Sequence, residues 1–401
     1  MVPTFLQINI FEDITSSPPH VWRDTLTNSS KVLKYEEMKK LKNTKFPPEL
    51  AEIYDQALAN QLADTTGAIQ GLNQMSRLLQ NPKLLMRPIM IKEAESSSQL
   101  EGTQASIDDV YKIGVIEQSQ EKKNEAFEIK NYEEAMLTGM SIIEKMGFTP
   151  LLIRAVHKTL MRGVRGQSKH PGEFRKGDVW IGPLGTVKEK ARYLPPDASV
   201  VPELMGQLHK FIDDRGEIHP LIACGLIHHR FEAIHPFEDG NGRTGRLLIS
   251  LYLLSQKLLT FPMLYPSGFF EKNKSTYIHS LHEVDKKESW RNWLMYFLMA
   301  MEKQASLSMK IALDIDTLFR ESKDKVGNER ANLKLFKVLE YSFANPYLTS
   351  SKVNKALGIP RPTCDRYLKL LTKEGVLTDL GIIQKQRVFL NIKLLDMLKN
   401  I

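Results

Sequence analysis

The residues able to do chemistry are concentrated in one window, Ile234-His235-Pro236-Phe237-Glu238-Asp239-Gly240-Asn241-Gly242-Arg243-Thr244-Gly245-Arg246, which runs on into the apolar stretch from Leu247 to Leu254. His235 and Asp239 stand four residues apart in a short turn. Imidazole is the one base in the window that works near neutral pH. One carboxylate together with phosphate oxygens is a usual protein site for Mg²⁺, which makes Asp239 the candidate metal ligand. Gly240-Asn241-Gly242 lets backbone amides approach a ligand with no Cβ in the way. Leu247, Leu248, Leu251, Leu254 and Leu258 recur at helical spacing, so a helix begins here. The free N–H groups and positive dipole end of its first turn favour an anion. Arg243 and Arg246, three apart, are expected on one helix face at that end, able to fork onto phosphates. The window therefore predicts a phosphate cradle over Gly240, Asn241, Gly242, Arg243, Thr244, Gly245 and Arg246, of a kind that would suit a nucleotide. His235 would take the proton of a hydroxyl attacking the α-phosphorus. Phe237 is expected to anchor the loop in the core, and Glu238 to be solvated.

Elements on both sides must position this window. Glu49 to Leu79 has a helical apolar face, and Asn81-Pro82 is read as its break. Met86 to Leu100 predicts a second helix, ending at Gly102. Its last turns hold Ser97 and Glu101, which are i and i+4 and so share one face. Asn124 to Met146 and Thr149 to about Met161 predict further helices, the latter with Thr149 as N-cap and Pro150 at the first position. Residues 172–196, from Gly172-Glu173-Phe174-Arg175 through Val179-Trp180-Ile181-Gly182 to Tyr193-Leu194-Pro195-Pro196, are β-prone and predict a hairpin. A lone hairpin in a helical protein must pack on helices or serve as a binding edge. Helices follow over Val200 to Asp213, from His219-Pro220 into the central window, over Lys274 to Val284, and over Trp290 to Leu313. His228 and His229, with Cys224 four before His228, lack a locally spaced third ligand for zinc and read as structural. A charged stretch from Arg320 to Arg330 reads as a linker or exposed helix end. A helix over Tyr35 to Leu41 is expected in an otherwise irregular leading segment.

Residues from Asn332 onward read as a separate small domain. Helices are expected over Leu333 to Phe343, after Thr349-Ser350, and after Pro362-Thr363. Two strands around a turn at Gly381 follow. Helices then a hairpin resemble a winged helix-turn-helix, with Lys352, Arg361, Arg366, Lys369 and Lys373 near the recognition helix. Such modules serve DNA and protein partners alike, so both stay open.

The central window resembles the signature of the Fic family, His-x-Phe-x-(Asp/Glu)-Gly-Asn-Gly-Arg-x-x-Arg. His235, Phe237, Asp239, Gly240, Asn241, Gly242, Arg243 and Arg246 occupy every fixed position. The phosphorylating Doc branch carries Lys where this chain has Gly242, a departure that argues against the Doc reaction. The resemblance covers roughly Leu79 to Met309. It implies a mainly α fold: a Fic-type helical bundle with a β-hairpin flap, followed here by the small C-terminal winged-helix domain. The organisation expected is 1–110 as an N-terminal helical region with an inhibitory helix at 88–102, 111–325 as the Fic catalytic domain, and 332–401 as the winged-helix domain. The activity implied is transfer of AMP from ATP, with Mg²⁺, to a Ser, Thr or Tyr hydroxyl of a target protein, the chain itself being one candidate target. Ser97, Glu101 and Gly102 match the family's inhibitory pattern (Ser/Thr)-x-x-x-Glu-(Gly/Asn), which places Glu101 against Arg246. By analogy Ile181, Gly182 and Tyr277 border base and ribose. Other family members use other nucleotides. A nucleotide-sensing DNA-binding regulator and a hydrolase that removes AMP, with Glu101 positioning water, are the alternatives.

Length and composition set wider bounds. The 401 residues allow two or three domains. A net charge of +8 permits nucleic-acid contact without requiring it. Cys224 and Cys364, the two cysteines, make no disulfide framework. With no signal-peptide pattern and no apolar run long enough to span a bilayer, a cytoplasmic protein is expected, and a homodimer is compatible.

Overall fold

The structure, a computed structural model, describes residues 45–79, 81–164, 169–182, 187–327 and 332–400. The helix expected over Tyr35 to Leu41 lies outside them. The protein is mainly helical, with one small antiparallel sheet near its C-terminus.

Two consecutive helices form the centre. Pro220–Ile234 (α7 in the order used below) begins with His219 as N-cap, its Nδ1 accepting from Leu221 N at 3.2 Å, and Pro220 at the first position. Thirteen of its fifteen residues are buried, so it must run through the core rather than along it. Asn241–Ser255 (α8) follows after the loop 235–240 and packs back on α7. Around this pair lie Gln56–Leu78 (α1), Pro82–Leu100 (α2), Ile107–Lys112 (α3), Gln120–Met146 (α4), Pro150–Leu160 (α5) and Val201–Asp213 (α6). Ser267–Lys272 (α9), Lys274–Lys287 (α10) and Trp290–Val326 (α11) complete the bundle. Trp293 of α11 is fully buried and donates from Nε1 to Gly225 O of α7 at 2.9 Å, which satisfies its one polar atom.

Asn81-Pro82 starts a helix instead of breaking one. Pro82 sits in the first turn of α2, where its missing N–H has no helical partner to lose. The segment expected at 88–102 is therefore the second half of a longer helix, with Glu101 at its C-cap and Gly102 at φ 94°. Of the two readings of the charged stretch after Arg320, its described part takes the helix end: α11 continues to Val326. Phe319 stays buried there by an edge contact of 5.1 Å with Phe343, and Arg320 pairs with Asp316 at 2.7 Å. Packing and an i,i+4 pair outweigh the charge content.

The expected hairpin over 172–196 reduces to one antiparallel bridge, Ile181 to Tyr193, among the described residues, with a 3₁₀ turn at Lys188–Lys190. Pro195 and Pro196 have no N–H to give to a ladder. The carbonyls of Gly177 and Pro196 accept instead from the Arg175 guanidinium.

The C-terminal unit holds Leu333–Ala344 (α12), Tyr347–Leu348 (β1), Ser350–Leu357 (α13), Arg361–Lys373 (α14), Thr378–Ile383 (β2), Gln386–Leu390 (β3) and Ile392–Lys399 (α15). The sheet order is β1-β3-β2. The turn falls at Gln384-Lys385, both at positive φ, and not at Gly381, which sits at φ 79° in the register shift between Asp379 and Ile382. This unit rests on the front of α2 and on α3. Arg87 donates to Ala344 O and Asn345 Oδ1, each at 2.6 Å, and Tyr347 Oη donates to Asp108 at 2.8 Å.

Close approach of α4 and α8 depends on Gly139, where a Cβ would stand 2.4 Å from Leu251 Cδ1. Gly139→Ala is expected to cost about 1–3 kcal/mol, the usual range for overpacking. Gly67→Ala, on the exposed side of α1 with nothing within 4 Å, is expected to gain roughly 1 kcal/mol of helix propensity. Opposite shifts of the urea midpoint check the pair. A Gly139→Ala midpoint at or above the parent's would contradict the packing.

Candidate active site

The loop 235–240 is held from inside the protein. His235 is the C-cap of α7 at φ 51°, which turns the chain sharply out of the helix. Phe237 has no exposed surface and anchors the loop. Asn241 closes it: Oδ1 accepts from Phe237 N and Nδ2 donates to Phe237 O, both at 2.8 Å. Its side chain is thus a staple, leaving its backbone to face the cleft. Gly240 is left-handed, φ 73°, and a Cβ there would meet Met161 Sδ at 2.5 Å. At Gly242 a Cβ would meet Glu101 Oε1 at 2.2 Å. A side chain at either glycine of the Gly-Asn-Gly would displace a neighbour, Met161 at 240 and Glu101 at 242.

The two arginines part company. Arg246 donates from Nε to Ser97 Oγ at 2.9 Å, and from Nη2 to Ser97 O and to Glu101 Oε1, each at 2.7 Å. It lines the cleft. Arg243 is buried and turns to Glu128 of α4, with Nη1 to Oε2 at 3.1 Å; the same oxygen accepts from Thr103 at 2.9 Å. Three residues apart on a helix is near enough for one face, but a buried carboxylate from another helix captures the first side chain. Thr244 turns inward too, donating to Gly240 O at 2.8 Å. Gly245 leaves room for the Glu232 carboxyl, which a Cβ would meet at 2.2 Å. So Arg243, Thr244 and Gly245 do not line the cleft, contrary to the expectation that all of 240–246 do.

The cleft has a volume of about 840 Å³. His235, Glu238 to Gly242 and Arg246 line one part of it. Ile181, Gly182 and Tyr193 of the flap segment and Tyr277, Ile278 and Leu281 of α10 line another. Ile181, Gly182 and Tyr277 line the same cleft as the central loop; Tyr277 is only 4% exposed and its hydroxyl meets His228 Nε2 at 2.8 Å. His228 contacts Gly245 O through Nδ1 at 3.1 Å; burial pushes its ring down to about 3, and it is a neutral core residue. His229 is likewise buried, with Nε2 3.2 Å from Leu281 O.

Charge states follow from surroundings. Burial pushes His235 down to about 4, against the opposing pull of the Glu101 charge, so its ring is neutral at pH 7. Nδ1 lies 3.4 Å from Glu232 O, an arrangement that turns Nε2 to the cleft. Burial alone would raise Glu101, but the charge and hydrogen bond of Arg246 outweigh it and hold the carboxyl below its usual value. Arg246 is correspondingly raised. Burial pushes Glu232, which also faces the cleft, up to about 7.

Asp239 has the chemistry of a single-carboxylate Mg²⁺ site. Oδ1 accepts from Gly240 N at 2.7 Å, and Oδ2 lies at the cleft, 3.3 Å from Lys169 Nζ. Among the described residues no three His, Cys, Asp or Glu side chains gather to hold an ion alone. Phosphate oxygens would have to complete the coordination, as is usual for Mg²⁺. The residues present fit that arrangement, with Lys169 the side chain that must yield.

Several neighbours carried no sequence signal. Arg175, 3% exposed, donates from Nε to His235 O at 2.8 Å and from its own main-chain N to Pro236 O at 2.9 Å, so it supports the loop 235–240 from behind. Lys274 Nζ donates to Leu100 O at 2.6 Å and caps α2 beside Glu101. Only the run Gly172-Glu173-Phe174-Arg175 hinted at Arg175; nothing local marks Lys274, Glu128 or Lys169.

The bundle with a nucleotide-sized cleft at the N-terminus of α8 is a Fic-type fold. Residues 147–253 match the Fic/DOC family, and residues 59–141 match the Fic/DOC family N-terminal region. Over those two stretches the chain is similar to that family and to its N-terminal region. Over 135 residues it is 30% identical to a probable protein adenylyltransferase of Aquifex aeolicus, covering 34% of this chain and 36% of that protein. Over 178 residues it is 26% identical to the protein adenylyltransferase Fic of Drosophila melanogaster, covering 44% and 32%. The chain spans about a third of the length of these curated relatives. The crystal structure of a Fic family protein from Desulfovibrio desulfuricans superposes with a TM-score of 0.56 at 21% identity, covering 86% of this chain and 98% of that one, a likeness of fold.

Proposed function

We propose that this protein transfers AMP from ATP to a hydroxyl side chain of a protein, and that Glu101 holds it in an inhibited state. The observation that carries the reading is one cleft holding a neutral His235 and the N-terminus of α8. The first-turn N–H groups of α8 and its dipole favour the phosphates. Arg246 supplies the one arginine guanidinium of the central window that reaches the cleft. The target hydroxyl oxygen bonds to the α-phosphorus, its proton passes to His235 Nε2, and the bond to the bridging oxygen of the pyrophosphate breaks. Asp239 and the phosphates would hold Mg²⁺, which supplies charge neutralisation for the leaving pyrophosphate. Tyr277, Ile181 and Gly182 border the nucleoside. The order of helices and hairpin in 332–400 supports its reading as a winged-helix module. No described helix is long and apolar enough to cross a membrane.

The test is incubation with ATP labelled at the α-phosphate, beside ATP labelled at the γ-phosphate. Label carried to protein from the α position alone supports adenylyl transfer. Label from the γ position indicates phosphorylation, and no label from either with the Glu101→Gly protein overturns the reading. One further reading has an observation in its favour: Glu101 keeps 39% of its side chain exposed at the cleft, where it could orient water for removal of AMP. Loss of label from premodified protein that depends on Glu101 would support it.

A further inference from the structure

We propose that His157, outside the cleft and absent from the family signature, is a positioning residue that sets the Asp239 main chain and fixes it to the start of the flap segment. The inference rests on the reading of Asp239 as the cation-holding acid. His157 lies in α5, 1% exposed. Two segments converge on its ring, the loop 235–240 through Phe237 and Asp239, and the chain at Gly172. Phe237 stacks on it with centroids 3.7 Å apart and planes within 4°. Gly172 N donates to Nδ1 at 2.8 Å. Because a backbone N–H can only donate, Nδ1 carries the lone pair and the proton sits on Nε2. Nε2 then donates to the Asp239 carbonyl, 2.9 Å away. Both ring nitrogens are committed and the ring is neutral, in keeping with a buried imidazole pushed down to about 4.

Each contact constrains something the cleft needs. The Asp239 carbonyl belongs to the peptide that leads into the left-handed Gly240, and Gly240 N is the donor that orients Asp239 Oδ1. Turning that peptide would re-aim the carboxylate. Gly172, at φ 86°, is pinned from both sides by α5, since its carbonyl also accepts from Arg154 Nε at 2.7 Å. A Cβ at Gly172 would stand 3.0 Å from Arg154 O, so the segment cannot drift toward α5 or be replaced there. His157 thus couples the acid and the flap segment to one rigid helix, a supporting role typically worth about 10–100-fold in metal affinity or activity.

Three substitutions separate this from plain packing. His157→Phe keeps a stacking ring and loses both hydrogen bonds. His157→Gln places an amide donor near the Nε2 position, and His157→Asn places an acceptor near the Nδ1 position. Binding of Mn²⁺ as a spectroscopic substitute for Mg²⁺, in the presence of a non-hydrolysable ATP analogue, is followed by electron paramagnetic resonance. Analogue affinity without metal is measured alongside. The expected result is metal affinity about tenfold weaker in His157→Phe, metal-free analogue affinity within about twofold of the parent, and metal affinity restored by Gln but not by Asn. Parent-like metal affinity in His157→Phe, or no better recovery with Gln than with Asn, overturns the inference. A parent that binds the analogue without any metal dependence instead removes the underlying reading of Asp239.

Discussion

Glu101→Gly is expected to raise the initial rate of AMP transfer by on the order of a hundredfold at saturating ATP, the loss that an ångström-scale misplacement of reacting atoms imposes. Arg246 Nη2 donates to the carboxylate and to the Ser97 carbonyl, each at 2.7 Å, while Nε donates to the Ser97 hydroxyl at 2.9 Å. A γ-phosphate seeking the same guanidinium finds it neutralised, and finds Glu101 in the space beside Gly242. A triphosphate could still enter, turned so that its α-phosphorus is out of line with the attacking hydroxyl. Removing the carboxylate frees the cation and keeps its orientation, because both Ser97 contacts remain. The buried charge of Arg246 then lacks a counter-ion, so Glu101→Gly should be slightly less stable than the parent without ligand. It should gain more from Mg·ATP in a thermal-shift measurement. Arg246→Ala removes the phosphate contact in either background, so the double variant should stay as slow as Arg246→Ala alone. Equal rates for parent and Glu101→Gly would show that the ion pair does not restrain the reaction.

His235→Ala is expected to lower the transfer rate by about 10²–10⁴, the usual range for a general base, with ATP affinity little changed. In the proposed mechanism the base acts from the C-cap of α7 and the phosphate-binding amides belong to α8, so binding and proton transfer would be carried by different elements. His235 adopts φ 51°, a conformation Ala disfavours and Asn tolerates. His235→Asn therefore serves as the companion variant: equally slow, yet closer to the parent in stability. The pH profile adds an independent reading. Burial depresses the ring to about 4, so the neutral, competent form persists through neutral pH and is lost as pH falls through that value. The transfer rate should be level between about pH 6 and 8, where an exposed imidazole would titrate. A parent-like rate in both variants would exclude His235 as the base.

What could be read along the chain was local in space as well as in sequence. The helix that begins after Gly240-Asn241-Gly242 and the shared face of Ser97 and Glu101 depend on neighbours within one or two turns. Residue types and spacing determine those. Caps behaved the same way: Thr149 with Pro150 and His219 with Pro220 begin helices as their types require. The tertiary structure decided where long side chains go once helices pack. Arg243 and Arg246 have equal standing in the sequence, yet Glu128, 115 positions away, draws one into the core while Glu101 meets the other at the cleft. His157 and Arg175 support the loop 235–240 through contacts 60 to 82 positions distant, which no periodicity encodes. The flap segment follows the same rule. Its β-prone residues favour a ladder, but the segment's own buried Arg175 guanidinium draws in the Gly177 and Pro196 carbonyls, because a buried charge must be hydrogen-bonded.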